Sequence, residues 1–159
     1  MHPRAAELLN ALAMRPHPEG GHYAELFRSA RRVHALDRNV ERPAITTIYF
    51  LLAAGEVSRW HRVASDEIWH YHEGNAIELL LFDDRGLRRL GLGPVARETR
   101  PTVVVPGGTW QAARPIGDYT LVACTVGPGF DFADFSLVAD SPEIASRISN
   151  AGRDLARFI

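Results

Sequence analysis

Between Gly55 and Gly74 the chain places an imidazole, His61, and six residues on a carboxyl, Glu67, among aromatic and β-branched neighbours. Histidine ordinarily titrates close to neutral pH, so His61 suits a general base by type. Glu67 can orient it, or act itself if burial raises its pKa. Tyr71 and Tyr49 are phenols able to donate a proton. These types together point to proton abstraction next to a carbonyl, as in epimerisation, isomerisation or elimination. Side chains alternate between faces of a strand. His61 and Val63 therefore share a face, as do Glu67, Trp69 and Tyr71, with His70 and His72 on the opposite one.

Elements that would position these groups are legible in the pattern. Residues Pro3 to Met14 read as a short helix, with Ala5, Leu8, Leu9 and Leu12 on one face. Pro16, Pro18, Gly20 and Gly21 break it. From His22 to about Leu137, short β-rich runs alternate with turn residues. Strands are predicted near His22–Val33, Ala44–Leu52, Glu56–Arg62, Glu67–His72, Ala76–Phe82, Leu87–Leu92, Pro101–Val105, Thr109–Ala113, Tyr119–Val126 and Phe135–Val138. Asp83-Asp84-Arg85-Gly86 is a hairpin turn, and Gly127-Pro128-Gly129 is a turn with no helix behind it. So many strands with almost no helix between them favour a sandwich or barrel over a βαβ fold. Ser141-Pro142-Glu143 opens a second helix, with serine as cap, proline at its first position and glutamate on the dipole. It runs through Ile144 and Ile148 and ends near Asn150-Ala151-Gly152.

Bulk properties narrow the function classes. The chain has 159 residues, 46% of them hydrophobic, which suits a single domain with a sizeable core. Its 18 basic and 19 acidic side chains leave a formal charge of −1, so nothing electrostatic favours nucleic acid or an anionic membrane. The longest apolar run, Ile48 to Ala54, is far too short to span a bilayer. No signal-peptide pattern opens the chain, and Cys124 is its one cysteine. A reduced, cytoplasmic setting is the expectation.

The Gly55–Gly74 segment resembles the first cupin motif, G-x5-H-x-H-x3-E-x6-G. Gly55, His61, Glu67 and Gly74 stand at its spacing, and Val63 replaces its second histidine. Pro106-Gly107-Gly108-Thr109-Trp110-Gln111 resembles the second motif, with Gln111 in place of its histidine. His17-Pro18-Glu19-Gly20-Gly21-His22-Tyr23, Ser58-Arg59-Trp60-His61, Ser65 to Tyr71, Val105 to Ala112 and Cys124 to Phe132 are together similar to the cupin group that carries a His-Pro-Glu-Gly-Gly element. The resemblance covers roughly residues 10 to 138. It implies an all-β double-stranded β-helix, the jelly-roll barrel, at about residues 22–138 with a short helix at each end. It also implies a homodimer with a polar pocket. Gly20 to Arg28 is further similar to an element of deoxysugar-nucleotide 3,5-epimerases, which are metal-free cupins with a histidine base and a tyrosine acid. Glu25 and Phe27 match that element and Tyr23 keeps an aromatic, while Gly20 stands where arginine is expected.

The cupin register turns His61 and Glu67 into the barrel, with Trp69 and Tyr71 beside them. His61, Glu67 and Tyr71 are then the expected catalytic residues. Glu19, Tyr23, Tyr49, Trp69 and Gln111 are the expected ligand contacts, Glu19 and Tyr23 being aimed by the Gly20-Gly21 turn. A metal cupin offers three histidines and a glutamate, whereas this chain keeps one histidine and the glutamate at the matching positions. No cofactor is therefore expected, and a weakly bound divalent metal would have only His61, Glu67 and Gln111. Several residues have plainer readings: Trp60 and Trp110 as packing, Cys124 as a buried thiol, Arg28, Arg31 and Arg32 as a solvated face, Asp131 and Asp134 as rim. Three functions stay open: a metal-independent epimerase, isomerase or lyase acting on a small polar or sugar-like molecule; a non-catalytic small-ligand-binding module; and a degenerate metal oxygenase. The exposed edge before the barrel adds to the expectation of a homodimer.

Overall fold

The computed structural model describes residues 1–159 and contains two six-stranded sheets. One runs in the order Arg15–Pro16, His22–Arg28, Thr46–Ala53, Tyr119–Gly127, Asp66–Gly74, Thr102–Val105. The other runs Thr99–Arg100, Gly86–Leu92, Ile77–Asp83, Trp110–Pro115, Ser58–Val63, Phe135–Leu137. Every pairing within them is antiparallel except that of Thr99–Arg100 with Gly86–Leu92. This is the expected jelly roll. No helix is long and apolar enough to cross a membrane.

Period-2 alternation sorts the hydrophobic residues into an inner core and two outer ones. Phe50, Leu52, Leu79, Leu81, Val122 and Trp69 point inward and fill one end of the barrel with hydrocarbon. Leu51 and Leu121, one residue out of phase, face outward and are covered by Ala5 and Leu8 of the helix Pro3–Ala11. Leu80, Trp60 and Trp110 face outward from the second sheet and are covered by Ile148 of the helix Pro142–Ala151. Trp60 and Trp110 are thus packing residues. Because hydrocarbon occupies only one end, the other end remains open to a pocket.

Some elements differ from expectation for local reasons. The run His22–Val33 divides into the strand His22–Arg28 and one arm of a separate hairpin, Arg32–Ala35 with Val40–Pro43. Asn39 supplies the positive φ of 54° for its turn. Arg15–Pro16 forms a strand only by pairing with Tyr23 and His22 across the Gly20-Gly21 turn. Ser141 makes no side-chain cap bond, although Pro142 does begin the helix. Beyond Gly152, where the helix was expected to be the last element, Arg153–Phe158 adds a 3-10 segment that buries Leu155 and Phe158 completely.

That last segment is part of the outer core, so Phe158→Ala should cost about 3–5 kcal/mol of unfolding free energy. Urea denaturation checks this, and a loss below about 1 kcal/mol would show that the segment does not belong to the core.

Candidate functional site

The turn His17–Tyr23 delivers the first functional side chain. His17 N donates to Gly21 O and Gly20 N donates to His17 O, each at 3.0 Å. Gly20 and Gly21 adopt φ of 111° and 64°. A Cβ on Gly20 would lie 2.1 Å from Val57 O, and one on Gly21 would lie 2.7 Å from Leu51 O. Only glycine fits either position. Arg59 N then donates to Glu19 O at 2.8 Å, fastening the turn to the strand Ser58–Val63.

Glu19 is thereby buried against His61. Ser58 Oγ donates to Glu19 Oε1 at 2.8 Å, and Glu19 Oε2 lies 3.2 Å from His61 Nε2 and 3.5 Å from His17 Nδ1. On the other side of the ring, His61 Nδ1 lies 2.7 Å from Arg59 O. A carbonyl only accepts, so Nδ1 carries the proton and Nε2 the lone pair. Burial raises the Glu19 carboxyl to about pKa 8 and lowers both imidazoles, His17 to about 4. The geometry and these directions agree on a neutral pair near neutral pH: Glu19 O–H donating to His61 Nε2. Phe135 stacks on the His61 ring at 5.6 Å between centroids.

Glu67 is held from behind. Trp69 Nε1 donates to Gln111 Oε1 at 3.1 Å, and Gln111 Nε2 donates to Glu67 Oε2 at 2.5 Å. Indole nitrogen can only donate, which fixes the amide orientation. The buried Cys124 thiol neighbours Glu67, and burial raises the pKa of both groups.

These groups line a cavity of about 350 Å³ at the open end of the barrel. Ile48, Phe50, Val63 and Val126 form apolar wall, and Arg15, Tyr23, Glu25, Arg28, Asp131 and Phe132 line it with them. Of the residues singled out in the sequence, His61, Glu67, Glu19 and Tyr23 meet there. The other four do not line it. Tyr49 is one residue out of phase with Ile48 and Phe50, so it lies on the outer face with His72, their rings 5.9 Å apart. Tyr71 is carried towards the hydrocarbon end, where its hydroxyl donates to Gly74 O at 2.7 Å. Trp69 is core, packed edge-on to Phe50 at 5.8 Å. Gln111 sits behind Glu67. Cys124, expected as a buried thiol, is buried but lines the cavity. Arg28, expected on a solvated face, also lines it and is paired with Glu25 at 2.8 Å. His17 and Arg15 were given no role in the sequence. The signal for His17 was its place two residues before Glu19, ahead of two glycines.

The family model described as Cupin superfamily (DUF985) matches residues 6–138. The chain belongs to this family. Among solved structures, this cupin is similar to a hypothetical protein from Leishmania major, at 33% identity and a TM-score of 0.78, covering 92% of this chain and 97% of that one. A protein from Shewanella oneidensis gives 31% identity and a TM-score of 0.84, covering 97% and 95%. KdgF from Halomonas sp. shares the fold at 16% identity and a TM-score of 0.54, covering 76% and 89%. No curated protein matches the sequence.

The residues present in this cupin do not fit a metal centre. Val63 stands at one ligand position of the motif, and the Gln111 oxygen is turned away to Trp69. His61 Nε2 faces Glu19, and no group of three His, Cys, Asp or Glu side chains has an arrangement that could hold an ion.

The raised carboxyl has a thermodynamic signature. Glu19 binds its proton more tightly in the folded chain than in the unfolded one, so its contribution to stability is full below the ordinary carboxylate pKa and is lost as pH rises towards about 8. Glu19→Gln cannot titrate. Its unfolding free energy relative to the parent should therefore rise between pH 5 and 8, on the order of 2 to 4 kcal/mol. Taking the difference between variant and parent removes the opposing contributions of His17 and His61. Urea titrations at several pH values check this, and a pH-independent difference would contradict it.

Proposed function

We propose that the barrel mouth binds a small polar or sugar-like molecule and that His61 moves a proton on it, in an epimerisation, isomerisation or elimination routed through side chains alone. One observation carries this reading: an imidazole with its Nδ1 proton committed to Arg59 O and its Nε2 lone pair aimed at a buried carboxyl in the cavity at the barrel mouth. The volume lies at the small end of the roughly 300–1,000 Å³ typical of ligand sites.

The chemistry balances without a further reactant. As a ligand carbonyl enters, the Glu19 O–H turns from His61 Nε2 to the carbonyl oxygen, which uncovers the lone pair. His61 Nε2 takes the proton from the adjacent carbon, the C–H electrons form the enol double bond, and Glu19 protonates the oxygen. Glu67, also raised in pKa, stands ready to deliver a proton to carbon from another direction as the enol collapses. Glu19 then recovers its proton from the oxygen, and the proton held on His61 passes through solvent in the cavity to Glu67, which restores all three groups. In this scheme Glu19 takes the acid role that Tyr71 is too distant to fill. A homodimer belongs to the same reading, supported by the half-exposed Leu26 and Phe27 on the strand His22–Arg28.

The test begins with protein purified from cells. A molecule retained in the cavity is extracted, identified by mass spectrometry, and incubated with enzyme in deuterated water. Deuterium should enter the carbon next to its carbonyl, and His61→Ala should slow this by about 10²- to 10⁴-fold. Full turnover by His61→Ala would end the proposal.

A further inference from the structure

Charges at the cavity mouth are unevenly matched. Arg28 is committed: its Nε and Nη2 donate to Glu25, the latter at 2.8 Å, and its Nη1 donates to Phe130 O at 3.0 Å. Arg59 is tied to the backbone of Pro18 and Glu19. Arg15 differs. It lines the cavity, its side chain makes no hydrogen bond or ion pair within the chain, and its guanidinium lies over the Tyr23 ring at 4.9 Å. Arg15 and Tyr23 are direct partners across the strand pair, so the sheet itself holds the stack. Stacking engages the face of a guanidinium and leaves its edge donors free, a fork that matches a carboxylate.

A continuous line of contacts runs inward from this cation. Tyr23 meets His17 edge-on at 4.7 Å, His17 Nδ1 lies 3.5 Å from Glu19 Oε2, and that oxygen lies 3.2 Å from His61 Nε2. The mouth thus offers a free positive charge, and the floor offers imidazole and carboxyl groups suited to hydroxyl or carbonyl oxygens. Glu25 and Asp131 line the same cavity and disfavour a second negative charge on the ligand.

We infer that Arg15 anchors the carboxylate of a small hydroxylated monocarboxylic acid, whose uncharged end reaches Glu19, His61 and Glu67. This specificity rests on the reading of the cavity as the ligand site. A carboxylate is preferred over a phosphate because it brings a single negative charge to a cavity that Glu25 and Asp131 also line. Phe132, half-exposed and stacked towards His17 at 6.4 Å, gives the aliphatic part of such an acid a surface to cover.

The test measures binding by calorimetry and ligand-observed NMR for glycerate, gluconate, glucuronate and galacturonate. Glycerol, glucose, galactose and glucose 6-phosphate serve as their neutral and phosphorylated counterparts. At least one acid should bind roughly 10- to 100-fold more tightly than its neutral counterpart, and Arg15→Gln should remove that difference while leaving neutral-sugar binding unchanged. Arg15→Lys, which keeps the charge without the fork, should recover only part of it. Wild-type affinity in Arg15→Gln, tighter binding of the phosphate, or no binding by any of the acids would overturn the assignment. Deuterium exchange next to the aldehyde of glucuronate or galacturonate, the two acids that carry a second carbonyl, separates this from the catalytic reading. Arg15-dependent binding without exchange sinks the catalysis and keeps the anchor. Exchange that is indifferent to Arg15 sinks the anchor and keeps the catalysis.

Discussion

The hydrogen bond between His61 Nδ1 and the Arg59 carbonyl sets the chemistry of the whole cavity. It is made within one strand, so the backbone that builds the barrel also chooses the tautomer of the ring. With Nδ1 protonated, Nε2 must accept, and the group facing it must supply a proton or a charge. Water is largely excluded there, and a separated ion pair loses more hydration than its attraction returns unless further donors surround it. Glu19 has one such donor, Ser58, and its carboxyl stays protonated. A neutral acid beside a neutral base, both buried, is a resting state able to shift a proton in either direction once a ligand intervenes.

Placing that pair requires two rigid supports. One is the glycine turn, where both backbones approach so closely that no Cβ fits, and which pins Glu19 to the strand carrying His61. The other is the hydrocarbon plug at the far end of the barrel. Trp69 belongs to that plug and also, through Gln111, holds Glu67 in place. The boundary between plug and pocket is therefore a polar relay, with apolar packing on one side and the reacting groups on the other. Outer helices complete the arrangement by covering the backs of both sheets, which keeps the strand alternation, and so the inward set of side chains, fixed.

Much of this was legible in the sequence. Alternating short strands and spaced turns give a sandwich or barrel, and the resemblance to the first cupin motif selects the barrel and gives His61 and Glu67 as a pair. Glu19 and Tyr23 follow from the two glycines between them. Tyr49 was misplaced even though period 2 decides its face: once Ile48 and Phe50 point inward, it cannot. Tyr71 and Trp69 have the right phase, but nothing local says how far hydrocarbon extends along the barrel axis. Gln111 occupies a ligand position in the motif, and its rotation towards Trp69 depends on a partner 42 residues away. Arg15 was hidden because Arg-Pro carries no strand signal of its own, and only pairing across the glycine turn makes it part of a sheet.

The most direct test of this account is nitrogen NMR of the protein with isotope-labelled histidine, assigned with a His61 variant and recorded near neutral pH. The account predicts a neutral His61 ring with the proton on Nδ1 and a hydrogen-bonded lone pair on Nε2, that signature weakening when Glu19 is replaced. A doubly protonated ring, or a proton resting on Nε2 with Nδ1 bare, would contradict it.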